Sequence, residues 1–374
     1  MRRVWISPKK ALLEHFADLE DSRTRQPMYD LQELLLTAVC AVVCGADDWE
    51  TVSLWGQANL PWLRQLLPFK NGVASHDTFG RVFGLLDAEP FETRFIAWMS
   101  GMCGALEGVQ IAVDGKTARR SKALHRVSVY ATGLGITLGQ VKTAQKSNEI
   151  TAIPELLDTL LLKGCTVTID AMRCQKAIAA KVISQEADYV LSVKNNQPTL
   201  AAAVESVFDE AKEKAWEGIP YTQAEWVDGE HGRMETRKCL VIHDGDQAIN
   251  LKGWPSVRSL VMIESTREIK DKVSFERRYF ISSLNVEASR MGDIVRGHWA
   301  VENGLHGSLD IAFGEDQARM RERNSAENFS ILRRIALNLI RQDKTTQAGI
   351  KNRRLLAGWD QQYRQKILGI QGTA

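Results

Sequence analysis

The sequence predicts an α/β protein with a helical N-terminal domain, a core that alternates strands and helices, and a β-rich insertion before the last core helices. Three observations predict it. Residues 1–105 carry apolar residues at three-to-four-residue spacing, residues 106–199 switch to short β-branched runs separated by helical spacing, and residues 200–290 break into alternating segments. Helical spacing returns over 291–345, and a short tail, 346–374, ends the chain.

The N-terminal periodicity predicts helices over 11–20, 31–44, 49–67, 78–86 and 90–102, with Asp30, Ser75 or Asp77, and Asp87 as start signals. Trp49, Trp55, Trp62 and Trp98 fit best as core anchors. His76 fits a cap region. The segment is slightly acidic, 10 Lys and Arg against 13 Asp and Glu over residues 1–100, so the main grip on a polyanion is expected elsewhere.

From Val109 the pattern becomes strand-like. Val109–Val113 is expected to end at Asp114, with Gly115 and Lys116 as turn residues. Strands over 127–131 and 136–141 follow, joined by a hairpin turn at 132–135. A helix over 150–163 is opened by Asn148 or Glu149 and closed by Gly164. Then comes CTVTIDAMRCQK, residues 165–176, a buried strand that delivers Asp170 where its apolar run stops. A helix over 175–185 and a strand over 189–193 complete the unit. Strand-edge acids are where open α/β sheets build ligand sites. An aspartate at that point serves equally as a helix cap, and this stretch alone leaves both readings open. The order β-β-β-α-β-α-β is that of a ribonuclease-H-like sheet, in which the first and fourth strands are neighbours and Asp114 lies beside Asp170.

Residues 200–216 read as a polar helix. The segments 221–226, 234–242, 259–266 and 278–282 read as antiparallel strands. HGRMETRK, His231 to Lys238, is either a phosphate contact or a charged hairpin. Beyond Asp293, Ile294, Trp299, Val301, Leu305 and Leu309 mark an apolar helix side, while Glu302, His306 and Asp310 share another. Gly297, Gly304 and Gly307 each cost roughly 1 kcal/mol in a helix interior, which predicts close packing or a kink. A strongly amphipathic helix over 325–342 is expected to turn Arg333, Arg334 and Arg341 toward solvent or phosphate.

The net charge of +2 says little about partners, but its distribution says more. Between Asp114 and Glu149 no acid occurs, whereas Lys116, Arg119, Arg120, Lys122, Arg126, Lys142 and Lys146 do, which suits a nucleic-acid backbone. The six cysteines form no CxxC pair and suit a reducing cytoplasm. The longest apolar run, 34–45, is too short for a bilayer, and no signal-peptide core opens the chain.

Three carboxylates at one sheet edge would hold hard divalent cations and so cut phosphodiesters. Asp114 and Asp170 supply two, and Glu302 on a later helix is the natural third. His298 and His306 could polarise a phosphate or orient water, but lone histidines are more often structural.

The motifs DDWETVSLWG, SHDTFGRVF, AVDGKTAR, KSNEITAIPELLD, VTIDAMRCQKAIA, DYVLSVKNNQ, HGRMETR, RGHWAVENGLH and NSAENFSILRRIALNLI, spread over residues 30–360, carry a resemblance to the H-repeat-associated (ISAs-type) DDE transposases of bacterial insertion sequences. The resemblance implies a ribonuclease-H-like catalytic core with an insertion before its last acid. It implies Asp114, Asp170 and Glu302 as the catalytic and metal-binding triad, with Mg²⁺ as cofactor and Mn²⁺ able to substitute. The expected partner is double-stranded DNA, element ends and target, bound by a homodimer in the cytoplasm, with no membrane involved. Candidate DNA contacts are Lys116, Arg119, Arg120, Lys122, Arg126, Lys194, His231, Arg233, His298, His306, Arg333 and Arg334. The sequence departs from the family pattern at Arg120 and Arg173, where glycine is expected, at Gly307, where tryptophan is expected, and at His298, where the wider group has arginine. Arg173, three residues past Asp170, could compete for a metal-binding carboxylate or assist with phosphate. Two other classes stay open, a catalytically silent, transposase-derived DNA-binding protein and a hydrolase that uses paired carboxylates on another substrate.

Overall fold

A computed structural model describes residues 14–24, 26–103, 106–118, 124–143, 149–230, 233–243, 251, 253–269, 272–320 and 322–370. The longer helices before the sheet, among the described residues, are α1 (Leu31–Val43), α2 (Trp49–Ala58), α3 (His76–Leu85) and α4 (Ala88–Cys103). Asp30 caps α1 by accepting from the Gln32 amide, and Ser75 caps α3 by accepting from the Thr78 amide. Such caps are worth about 1 kcal/mol each. The expected single helix over 49–67 is broken. Asn59 ends α2, its side chain donating to the Trp55 carbonyl, and Pro61 begins a separate turn, Leu60–Leu63. Proline is tolerated only in that first turn, because it has no amide to continue the previous helix.

The sheet comprises β1 (Gln110–Ala118), β2 (Leu124–Ala131), β3 (Ile136–Thr143), β4 (Thr166–Ile169), β5 (Asp188–Val193), β6 (Tyr221–Glu230), β7 (Arg233–His243), β8 (Ser259–Ile269) and β9 (Lys272–Ser282). It is one mixed nine-stranded sheet of order β3-β2-β1-β4-β5-β9-β8-β7-β6. The expected neighbours, first and fourth strands, do pair, in parallel. The inserted strands join the same sheet, because β9 pairs antiparallel with β5.

The connecting helices are α5 (Glu149–Asp158), α6 (Lys176–Ser184) and α7 (Pro198–Glu213). They are followed by α8 (Ala288–His298), α9 (Gly307–Phe313), α10 (Ser325–Gln342), α11 (Ile350–Trp359) and α12 (Gln361–Leu368). Helix α8 covers one face of the inserted strands, where Cys239, Val241, Val261, Ile263 and Phe280 meet Met291, Ile294 and Val295. On the opposite face, Leu240, Ile242, Leu260 and Met262 share the main core with Val204 and Phe208 of α7. That alternation is the two-residue period of a strand buried on both sides.

Helix α10 is not half-exposed as expected. Ser325 and every residue from Asn328 to Ile340 are buried, around its full circumference, since it packs against α1, α3, α4 and β3. Arg354 of α11 donates to the Val42 and Ala46 carbonyls, which ties the C-terminal helices to α1. Among the described residues no helix is long and apolar enough to cross a membrane.

Candidate active site

The parallel pairing of β1 and β4 ends at Val113 opposite Ile169, so the next residues, Asp114 and Asp170, stand abreast. They differ in setting. Asp170 leaves its strand and caps the 3₁₀ turn Ala171–Arg173, accepting from the Ala171 amide at 2.6 Å. Asp170 thus stands at the sheet edge and caps this short turn, not the next helix, whose N-cap is Gln175. Asp114 does not end its strand, contrary to expectation: β1 continues to Ala118 because β2 pairs with it along that length. Gly115 and Lys116 are accordingly strand residues and form no turn.

Asp114 is mostly buried and has two cationic or polar neighbours. Arg173 donates from Nη1 to Oδ1 at 2.8 Å, and His306 Nδ1 lies 3.7 Å from Oδ2. Arg173 is itself buried, which makes the pair a charge-assisted contact in a poorly solvated place.

Glu302 arrives on a π-helical turn, Val301–His306, between α8 and α9. The Gly307 amide donates to the Glu302 carbonyl, five residues back. Wide turns of this kind gather at functional sites. Val301 and Leu305 are buried, while Glu302 faces outward. Its carboxyl pKa is raised, first by partial burial and then by the charges of Asp114 and Asp170. The third acid thus stands within electrostatic reach of the other two.

Arg341 of α10 holds this turn, donating to the Gly304 carbonyl, to Ser308 Oγ at 2.9 Å and to the Tyr130 hydroxyl at 2.8 Å. The glycines explain themselves by close approach. A Cβ on Gly297 would overlap the Gln110 side-chain amide, and one on Gly304 would lie 2.8 Å from the Tyr130 hydroxyl. Gly307 is different, since a Cβ there would meet only the Glu302 carbonyl, at 3.5 Å.

The two histidines flank the acids. His298 Nδ1 is 2.9 Å from the Thr168 hydroxyl on β4. Burial pushes the pKa of His298 down against the opposing pull of Asp114 and Asp170. Burial likewise pushes His306 down to about 4, again against Asp114. Both imidazoles are therefore neutral at physiological pH.

Several expected DNA contacts are instead internal. Arg126, Arg333 and Arg334 are buried, at 3%, 3% and 0% exposure. Arg334 donates to Glu315 Oε1 at 2.9 Å, Arg126 lies 3.6 Å from the same oxygen, and Lys116 Nζ is 3.3 Å from Oε2. Lys116 also pairs with Asp310. The guanidinium of Arg333 lies 4.6 Å from the centre of the Phe329 ring. Lys116 and Arg126 of the acid-free stretch are thus neutralised from within, by acids some 180–200 positions later, which no local charge count detects. Lys142 follows the same rule, 2.8 Å from Glu327. Arg341, also expected outside, is the clamp described above. Lys194 is exposed. Arg119, Arg120, Lys122 and His231 lie outside the described residues, and of Arg233 only the backbone, in β7, is described. Sequence reasoning missed Glu315, whose only signal is an acid in a glycine-led turn just before an arginine-bearing helix.

Among the described residues no group of three His, Cys, Asp or Glu side chains is gathered at ligating distance around one point. Glu302 feels the charges of Asp114 and Asp170, and one oxygen of Asp114 is drawn to the Arg173 guanidinium.

The chain matches the model of the transposase DDE domain over residues 79–339 and that of the DDE-transposase-associated domain over 13–99. It belongs to the DDE transposases. Within that family it aligns almost end to end with the "H repeat-associated putative transposase YhhI" of Escherichia coli K12, 37% identical over 98% of this chain and 99% of that one. The "Putative transposase YncI" of Escherichia coli O157:H7 is 38% identical over 96% and 94%. The solved piggyBac transposase synaptic complex with hairpin DNA aligns over 96% of this chain and 75% of that chain, at 11% identity and a TM-score of 0.47. DDE transposase domains generally use divalent metal ions.

Proposed function

We propose that Asp114, Asp170 and Glu302 are the catalytic carboxylates of a transposase that cuts and rejoins DNA, on a core of ribonuclease-H-like design. The observation supporting this reading is the register of β1 and β4, which sets Asp114 beside Asp170, with Glu302 close enough for its proton affinity to rise in response to both. A pair of divalent cations held by these carboxylates, Mg²⁺ or Mn²⁺, would supply activation of the attacking oxygen and stabilisation of the leaving oxygen.

The chain's own residues do the rest. Asp114 and Asp170 are fixed by strand pairing and by a cap hydrogen bond, so they provide a rigid floor. Glu302 sits on the π turn clamped by Arg341 and closes the donor set from above. The neutral His298 and His306 border the acids without adding positive charge that would oppose a cation. Both reaction steps, attack of water at an element end and attack of the freed 3′-hydroxyl on target DNA, are in-line displacements at phosphorus and so can share this site. The working form on DNA is a homodimer in this reading.

One observation favours a second reading. The Arg173–Asp114 bond occupies an oxygen that a metal needs, as in a silent, transposase-derived DNA-binding protein. Purified protein incubated with element-end duplex and Mg²⁺ or Mn²⁺ separates the two: nicking supports the enzyme, and binding without nicking supports the silent protein.

A further inference from the structure

Beside Asp170, on the side away from Asp114, a cleft opens between β4, β5, β9 and α8. Its floor is apolar, formed by Val190, Phe280 and Val295, and its mouth carries Lys194, Arg278 and Trp299. We propose that this mouth is a phosphodiester subsite, in which Lys194 and Arg278 jointly grip one backbone phosphate of the DNA strand that runs over the acids. The inference rests on the reading of the acids as a DNA-cutting site.

The pairing of β5 with β9 builds the subsite. Val193 opposite Tyr279 is the last pair of that ladder, and Ser192 lies opposite Phe280. One step beyond, Lys194 and Arg278 project on the side of Ser192 and Phe280, toward α8. The insertion thereby supplies one cation and the core the other, on two adjacent strands.

Neither side chain is hydrogen-bonded to an acid among the described residues. The Lys194 side chain is exposed, and its ammonium makes no hydrogen bond or ion pair among the described residues. Arg278 is largely buried, yet its Nε has no hydrogen-bond partner. Its nearest carboxylate, Glu276, is itself mostly exposed and stands 3.8 Å away, beyond hydrogen-bond range. The guanidinium lies over the Trp299 ring, 5.6 Å from its centroid, and both side chains line the cleft. Buried donors are ordinarily paired, and a planar guanidinium beside an ammonium is a donor set for a phosphate. Lys116, Arg126 and Arg334 are spent on internal acids and Arg333 is buried over the Phe329 ring, so these two cations are well placed to receive the polyanion at the Asp170 edge.

The test is DNA binding, without cleavage. Binding of the full chain to a short labelled duplex is followed by fluorescence anisotropy in EDTA over a range of salt concentrations. Lys194→Ala and Arg278→Ala should each weaken binding and lower the slope of log K against log salt by about one. Lys163→Ala is the control. Lys163 lies near the opposite sheet edge, paired with Glu186 at 2.7 Å, and its loss should leave the slope unchanged. Should Arg278→Ala misfold, Arg278→Lys and the exposed Lys194→Ala carry the test. Wild-type slopes in both site variants, or a change confined to Lys194, overturn the subsite while the DNA-cutting reading stands. An absence of salt-sensitive binding by the unaltered protein overturns both.

Discussion

Arg173 Nη1 lies 2.8 Å from Asp114 Oδ1, joining the turn that Asp170 caps to the other strand-edge acid. A cation binding at Asp114 must displace or share this guanidinium. Arg173→Ala should therefore tighten Mn²⁺ binding, read by the metal's paramagnetic resonance signal or by a larger rise of Tm on Mn²⁺ addition. The change is expected to be several-fold, since a charge-assisted bond contributes about 1.5–3 kcal/mol and part of it is recovered by water. Unchanged affinity would mean that Arg173 moves aside at no cost.

The buried cluster around Glu315 is a stability element. Glu315 is buried, and its carboxyl is held well below the usual range by Arg334, Arg126 and Lys116, which together outweigh desolvation. Arg334→Met leaves that carboxylate with weaker compensation. It should destabilise the fold by about 3–5 kcal/mol in urea melts, the usual cost of breaking a buried pair from one side. A loss below about 1 kcal/mol would show that Arg126 and Lys116 suffice.

Gly304 and Gly307 should respond oppositely to alanine. Gly304→Ala places a methyl 2.8 Å from the Tyr130 hydroxyl and should cost about 1–3 kcal/mol, with part of that recovered in a Tyr130→Phe background. Gly307→Ala meets only ordinary contact at 3.5 Å and should be neutral or stabilising by up to about 1 kcal/mol. Equal losses at both positions would contradict the packing described for the π turn.

Glu92 gives the fold a pH dependence. It is half-buried, accepts from the Gln140 amide at 3.0 Å, and desolvation pushes its pKa up from 4.5 to about 7. Its folded pKa exceeds its unfolded one, so its favourable contribution is fully present below pH 4.5 and is lost as pH rises through about 7. Glu92→Gln should flatten the stability profile between those values. An unaltered profile would place the titration elsewhere.

The local pattern made much of this visible. Alternation and β-branching located β1 to β5, and the strand order placed Asp114 beside Asp170. Spacing put Glu302 and His306 on one side of a late helix segment. What local patterns could not carry was long-range pairing. The run from Lys116 to Lys146 reads as a polyanion surface, but its partners include Glu315 and Glu327, brought in by tertiary packing. Helix α10 reads as amphipathic because its arginines are charged, yet they are buried against carboxylates, carbonyls and rings. The π turn at Glu302 was signalled only by its glycines, since an i to i+5 bond has no sequence period of its own.

The three carboxylates are tested most directly by the cleavage of element-end DNA in Mg²⁺ by the unaltered protein and by Asp114→Asn, Asp170→Asn and Glu302→Gln. Nicking is expected from the unaltered protein and none from the three variants, each of which still folds and binds the duplex. Nicking at the unaltered rate by Glu302→Gln would contradict the triad.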